Sequence, residues 1–161
     1  MENLITDYRL STKEKYELLL SQLESLILKG DNKISSLANL SAALKQSFDK
    51  ISWVGFYIYE NQKLWLGPFQ GKVACTSIDI GKGVCGKAAE LIQTIIVPDV
   101  NKFPGHIFCD SDSKSEIVVP LIKEKKLFGV LDVDSNQYNS FDEVDKHYLE
   151  KVCTFLMNRI N

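Results

Sequence analysis

Several features that mark large classes of protein are missing from this 161-residue sequence. Its 19 Lys and Arg residues are balanced by 21 Asp and Glu residues, and no stripe of basic residues stands out. A nucleic-acid-binding surface needs many clustered cations. The N-terminus lacks a basic segment followed by an apolar run, and no apolar run is long enough to span a bilayer. We therefore expect a cytoplasmic protein that binds neither nucleic acid nor a membrane.

Motifs for cofactors and metals are missing as well. The glycine-rich stretch 81–86 lacks the Gly-Lys-Ser/Thr ending of a nucleotide-binding loop, and there is no flavin or nicotinamide motif. A zinc site built from Cys75, Cys85, Cys109 and His106 is chemically possible, but the usual Cys-x-x-Cys pair is absent. We expect no bound cofactor and no required metal.

The hydrophobic pattern predicts a single α+β domain over residues 1–161. A helical segment at about 1–50 contains two amphipathic helices, which we expect to form a hairpin that packs on a sheet or on another subunit. Ser11 and Glu14 form a capping box for the first helix. Ser140 and Glu143 predict another for a closing helix at about 140–160.

Residues 51–135 alternate in the manner of strands and are expected to form a largely antiparallel sheet. One short helix, ending near Leu91, interrupts them. The first strand has an aliphatic face and an aromatic face with a gap at Gly55. Trp53 and Tyr57 on the aromatic face are either plain core residues or the wall of a pocket. The strands are predicted at 51–59, from 64 to an end within 67–71, and at 73–80, 94–97, 117–122 and 127–133.

The long loop 103–117 is typical of a functional loop, because it is rich in turn-forming residues yet carries reactive side chains. Asp132 and Asp134 share one face at the end of an apolar strand, where carboxylates are costly unless a cation or hydrogen-bond donor meets them. Alternatively, both aspartates cap turns or lie at the rim. The loop's reactive groups are those of His106, Cys109, Asp110, Asp112 and Glu116.

Four cysteines in a reducing compartment are not expected to form standing structural disulfides. Cys153 falls in an apolar helical pattern and is predicted to be a buried hydrophobic residue. Cys85 precedes a short helix, where the partial positive charge should favour a thiolate. A Cys/His hydrolase would use His106 as its base, but nothing marks oxyanion donors. Thiol redox chemistry alone uses all three loop cysteines, Cys75, Cys85 and Cys109.

Six segments carry a resemblance to a known family. They look like the corresponding parts of the free methionine-R-sulfoxide reductases, which are GAF-domain proteins. The resemblance covers nearly the whole chain from Trp53 onward, in order and spacing. The family commonly has Ala where this chain has Phe108. The segments are 53–57, 66–75, 83–86, 105–110, 115–121 and 129–135.

The resemblance implies a GAF-like fold, with a six-stranded sheet flanked by helices, and reduction of free methionine (R)-sulfoxide. The implied redox cysteines are Cys109, Cys85 and Cys75. The implied pocket residues are Trp53, Tyr57, Glu116, Asp132 and Asp134. Chemically this is consistent, since an amino acid's ammonium needs an anion and its S-methyl group needs an aromatic wall.

From these observations we expect a thiol-dependent oxidoreductase that passes through a cysteine sulfenic acid and an intramolecular disulfide, with thioredoxin as the external reductant. Cys109 is our choice of nucleophile because it lies in the acidic loop just before Glu116, and Cys85 is the rival. Whether Cys75 or Cys85 resolves the sulfenic acid stays open. The alternative is a sensor module that binds a small molecule without catalysis. A homodimer is also expected.

Overall fold

The computed structural model describes residues 3–107 and 112–160. In that part of the chain two helices come first, strands with one inserted helix follow, and a long helix ends the fold. No helix among these residues is long and apolar enough to cross a membrane. The elements are α1 (Thr12–Leu26), α2 (Lys33–Ser47), β1 (Trp53–Glu60), β2 (Lys63–Gln70), β3 (Ser77–Asp79), α3 (Gly83–Leu91), β4 (Ile95–Val97), β5 (Ser115–Lys123), β6 (Lys126–Ser135) and α4 (Glu143–Arg159).

The strands form one six-stranded sheet in the order β3-β2-β1-β6-β5-β4. Each neighbouring pair is antiparallel. The expected α+β class and the antiparallel sheet are therefore confirmed. β1 and β6 occupy the middle of the sheet, so each of them pairs with a strand on both of its edges.

Helices α1, α2 and α4 cover one face of the sheet. The aliphatic residues of β1, Val54 and Phe56, point to this face and pack with Ile117, Leu131 and Val133 in the larger core cluster. The helical hairpin therefore packs on the chain's own sheet. Trp53 and Tyr57 point to the other face and belong to the second cluster, under α3. The two faces predicted for β1 are both observed.

The predicted N-terminal cap of α1 is confirmed, whereas that of α4 is not. Ser11 and Glu14 form the expected capping box of α1. At α4 the prediction of a Ser140 cap was wrong, since the N-cap is Asp142, whose carboxylate accepts from the N–H groups of Val144 and Asp145. A carboxylate is the stronger acceptor at the positive end of a helix. Ser140 instead donates to the Ser135 hydroxyl at 2.8 Å.

The strand predicted at 73–80 is much shorter, because only Ser77–Asp79 pairs with β2. Two side chains from β1 hold the segment before it. The Trp53 indole N–H donates to the carbonyl of Lys72 at 2.9 Å, and the Tyr57 hydroxyl donates to the carbonyl of Cys75 at 3.1 Å. Cys75 therefore lies on an irregular segment attached to the aromatic face of the sheet.

Candidate active site

The sheet register brings the three predicted carboxylates together on the face below α3. Asp134 of β6 lies opposite Trp53 of β1 on one side and opposite Glu116 of β5 on the other. Asp132 lies opposite Gly55. Directly paired residues of an antiparallel sheet share a face and are close neighbours. The carboxylates therefore form a group on one face of the sheet, near the C-terminal end of β6.

Gly55 is the gap in the aromatic face of β1, and the structure explains it. A Cβ atom at this position would lie 2.4 Å from Phe69 Cβ and 2.6 Å from Cη2 of Trp53. The Trp53 ring stacks on Phe69, with 5.4 Å between ring centroids. Trp53 and Tyr57 are both buried core residues, and they also stand beside the carboxylates. The interpretation as core residues is confirmed, whereas neither ring lines the cavity beside the carboxylates, so the pocket-wall interpretation stays a prediction.

Helix α3 carries Cys85 in its first turn and places the thiol over the carboxylates. A Cβ atom at Gly86 would lie 2.3 Å from the carbonyl oxygen of Asp79, so only glycine lets the helix approach β3 so closely. Cys85 Sγ lies 4.0 Å from Oε1 of Glu116. One ligand-type atom from each of Cys85, Glu116 and Asp132 lies within 4.8 Å of the other two. We call these three residues the buried triad.

A small cavity of about 30 Å³ lies beside the buried triad. Such a volume holds about one or two water molecules. Its wall combines apolar groups from α3 with polar groups from the sheet and from the described parts of the loop 103–117. It is lined by Ile78, Gly83, Val84, Cys85, His106, Ile107, Ser113, Glu116, Asp132 and Asp134.

Burial makes the charged forms of the triad costly. It is the largest cause that raises the pKa of Glu116, with the Asp134 charge adding to it, and burial followed by the Glu116 charge raises the pKa of Asp132. Among the described residues Oδ1 of Asp132 has no hydrogen-bond partner. An unsatisfied buried oxygen is costly. The site is therefore prepared for a group that supplies positive charge or hydrogen-bond donors.

The same environment acts on the Cys85 thiol. Burial, and then the charges of Asp132 and Glu116, raise its pKa well above the usual value for cysteine. The start of α3 does not offset these effects, so the expectation that its position favours a thiolate is not met. Burial and the neighbouring carboxyl groups therefore favour the thiol form of Cys85.

His106 is placed at the site by the structure. Its Nε2 lies 3.4 Å from Oε2 of Glu116, and burial lowers the pKa of the imidazole. Ser113 was missed by the sequence analysis. Its hydroxyl donates to Oδ1 of Asp134. The only sequence signal for Ser113 was its place in the polar stretch 110–116, where every residue has a polar side chain. Nothing in the sequence distinguished it from its neighbours.

The three described cysteines have different environments. Cys75 is disulfide-bonded, whereas Cys85 and Cys153 are free. Cys153 is 3% exposed in the larger core cluster, as predicted, and burial raises its pKa. The predicted nucleophile Cys109 lies outside the described residues, as do Phe108 and Asp110. Asp112 forms an ion pair with Lys72 on the surface.

The GAF domain family matches residues 34–160 of the chain. The match spans the whole sheet together with α2, α3 and α4. The fold is thus that of a GAF domain.

More specific similarity is found among individual proteins. Free methionine-R-sulfoxide reductase of Saccharomyces cerevisiae is 47% identical over 155 residues, covering 91% of this chain and 86% of the relative. The Escherichia coli protein of the same name is 45% identical over 123 residues, covering 76% and 74%. An X-ray structure of free methionine-R-sulfoxide reductase from Neisseria meningitidis in complex with its substrate has a TM-score of 0.94 at 41% identity, covering 99% and 95%. The chain therefore belongs to the free methionine-R-sulfoxide reductases of the GAF domain family.

Proposed function

We propose that this protein reduces free methionine (R)-sulfoxide to methionine. The observation that carries the proposal is the buried triad, in which two carboxyl groups lie beside a thiol and Oδ1 of Asp132 lacks a hydrogen-bond partner among the described residues. An α-ammonium group supplies the charge and the donors that this arrangement lacks. The names of the yeast and bacterial relatives support the same substrate.

Different parts of the site would bind different groups of the substrate. Glu116, Asp132 and Asp134 would bind the ammonium group, and Trp53 would contact the S-methyl group. Backbone N–H groups at the start of α3 would bind the carboxylate, since a helix N-terminus favours an anion. A cavity of about 30 Å³ is smaller than methionine sulfoxide, so binding has to widen it.

The reduction balances as a two-electron exchange between sulfur atoms. A carboxylic acid of the site, Glu116 or Asp132, donates a proton to the sulfoxide oxygen and makes the substrate sulfur electrophilic. The Cys109 thiolate attacks, and oxygen passes to its sulfur. The substrate leaves as methionine and Cys109 becomes a sulfenic acid. The raised pKa values of Glu116 and Asp132 support this role, because a carboxyl group with a raised pKa keeps its proton to a higher pH.

A second cysteine then condenses with the sulfenic acid, forming a disulfide and releasing water. We assign this resolving role to Cys75. Support comes from its disulfide bond in this structure, while Cys85 is a free thiol whose pKa is raised. A dithiol protein of the thioredoxin type would reduce the disulfide, with no bound cofactor or metal. The proposal includes a cytoplasmic location and a homodimer.

The decisive experiment supplies each epimer of free methionine sulfoxide to the purified protein with dithiothreitol and a metal chelator. The expected result is methionine from the R epimer alone. A sensor module would instead bind the compound without turnover, and no methionine from either epimer would overturn the enzyme proposal.

Single-turnover assays without reductant then assign the thiols. Cys75→Ser should still release one equivalent of methionine, whereas Cys109→Ser should release none. Cys153→Ser is the matched control and should behave as wild type, because its thiol is buried in the other core cluster. If Cys109→Ser releases an equivalent and Cys85→Ser does not, Cys85 is the nucleophile.

A further inference from the structure

The buried triad has the donor set of a metal site. It offers one thiol and two carboxyl groups from three separate elements, α3, β5 and β6, and all three side chains are buried. In a tetrahedral zinc site, with bonds of about 2.3 Å to sulfur and about 2.0 Å to oxygen, neighbouring ligand atoms are roughly 3.5 Å apart. Cys85 Sγ and Glu116 Oε1 are 4.0 Å apart, so a small inward shift brings them into range.

Two independent observations point to an ion at this place. Oδ1 of Asp132 is buried in the cavity wall and accepts no hydrogen bond within the described part of the chain. The cavity of about 30 Å³ has the size of one or two water molecules, so a single ion fits it without any widening. His106 Nε2, 3.4 Å from Glu116 Oε2, adds a nitrogen donor at the edge of the triad.

We propose that the protein binds one Zn²⁺ ion through Cys85, Glu116 and Asp132, and that the bound ion excludes the substrate. A site that combines a thiolate with two carboxylates suits zinc better than magnesium or calcium. The ion is inhibitory and is not part of the reaction. Zinc binding stands on the geometry alone, whereas the exclusion of substrate rests on the proposed function.

The test titrates zinc into the protein in competition with a chromophoric chelator and measures metal content after gel filtration. Wild type should bind one equivalent, both with its thiols reduced and with Cys75 in its disulfide, since Cys85 is free in the latter state. Cys85→Ser and Asp132→Asn should each weaken binding by more than about tenfold, the scale of losing even a group that only orients a ligand.

Matched cysteine variants locate the ion. Cys75→Ser and Cys153→Ser should still bind one equivalent. With Co²⁺ as a probe, wild type should show a thiolate-to-metal charge-transfer band that Cys85→Ser lacks. Circular dichroism shows whether a variant is folded, and Asp132→Asn serves as the second variant if Cys85→Ser is not. The proposal is overturned if wild type binds no zinc, or if Cys75→Ser abolishes binding while Cys85→Ser retains it.

Kinetics test the second half of the proposal. Zinc should raise the apparent KM for methionine (R)-sulfoxide without lowering the maximal rate, and a chelator should reverse the effect. If no reduction occurs even without zinc, the proposed function fails, yet zinc binding remains measurable. If zinc is bound and turnover is unaffected, the exclusion of substrate by the ion is wrong.

Discussion

Buried carboxyl groups lie on both faces of the sheet, and they differ in the hydrogen-bond and ion-pair partners that surround them. Asp145, in the first turn of α4, is 1% exposed and accepts hydrogen bonds from the Tyr16 hydroxyl and from the backbone N–H of Asp142. The ammonium group of Lys50 donates to both of its oxygens, at 2.7 and 2.8 Å. Asp132, on the other face, is 7% exposed and forms no ion pair with a described lysine or arginine.

This difference separates a structural carboxylate from a binding one. A buried charge stabilises a fold only when a partner and hydrogen bonds compensate its loss of water. Asp145 is compensated by groups from α1, from the approach to β1 and from α4, so it fastens these elements together. Neither Asp132 nor Glu116 forms an ion pair with a described lysine or arginine, and Oδ1 of Asp132 has no hydrogen-bond partner among the described residues, which is what a site for a cationic ligand requires. Such a site lowers the stability of the free protein.

The largest effect is expected when the compensated carboxylate is changed. Asp145→Asn removes the charge that pairs with Lys50 and should lower the free energy of unfolding by about 3–5 kcal/mol. Denaturant unfolding measures this change. The specific activity of the folded fraction should stay near that of wild type, because Asp145 lies on the helical side of the sheet. A loss below about 1 kcal/mol would place this ion pair among the weak ones.

Asp132→Asn should give the opposite pattern. Removing an uncompensated buried acid should leave the free energy of unfolding unchanged or raise it. The catalytic efficiency on methionine (R)-sulfoxide should fall roughly 30- to several-thousand-fold, the equivalent of losing about 2–5 kcal/mol from a buried charge contact. Initial-rate kinetics and denaturant unfolding on the same preparation test both halves. If Asp132→Asn is destabilised as strongly as Asp145→Asn, then Asp132 is a structural carboxylate and the proposed difference between the two faces is wrong.

The smallest effect is a pH dependence of stability. Burial raises the folded-state pKa values of Glu116 and Asp132 above their unfolded values, which are about 4. Their contribution to stability is therefore fully present below about pH 4 and is lost as pH rises through the folded pKa values, with a slope of at most about 1.4 kcal/mol per pH unit for each group.

Unfolding wild type and Asp132→Asn at several pH values isolates this contribution. The variant should lose less stability as pH rises, because one titrating group is gone. The groups that face Asp132 and titrate with it are Cys85 and Glu116, with Tyr57 and Asp134 nearby. Equal slopes for the two proteins would mean that Asp132 is not a titrating member of the site.

Much of the secondary structure was predictable because it depends on local patterns. The capping box at Ser11 and the alternation along β1 both appear as expected. The extent of the strand before Ser77 was not predictable, since Trp53 and Tyr57 bind the carbonyl groups of the segment that contains Cys75. The cap of α4 was misassigned because Ser140 and Asp142 are both good capping residues and only their tertiary contacts separate them.

The sequence by itself determined which chemical groups the protein has and which face of each strand carries them. Strand alternation placed Trp53, Gly55 and Tyr57 on one face of β1, and it placed Asp132 and Asp134 on the same face of β6. Only the tertiary structure decided how those groups act on one another. The sequence predicted a lowered pKa for Cys85, but burial under α3 and the charges of Asp132 and Glu116 raise it. Desolvation and neighbouring charge depend on distances across the sheet, which only the fold determines. The same physical reason separates Asp145 from Asp132, since a buried carboxylate becomes structural or reactive according to the partners that folding brings to it.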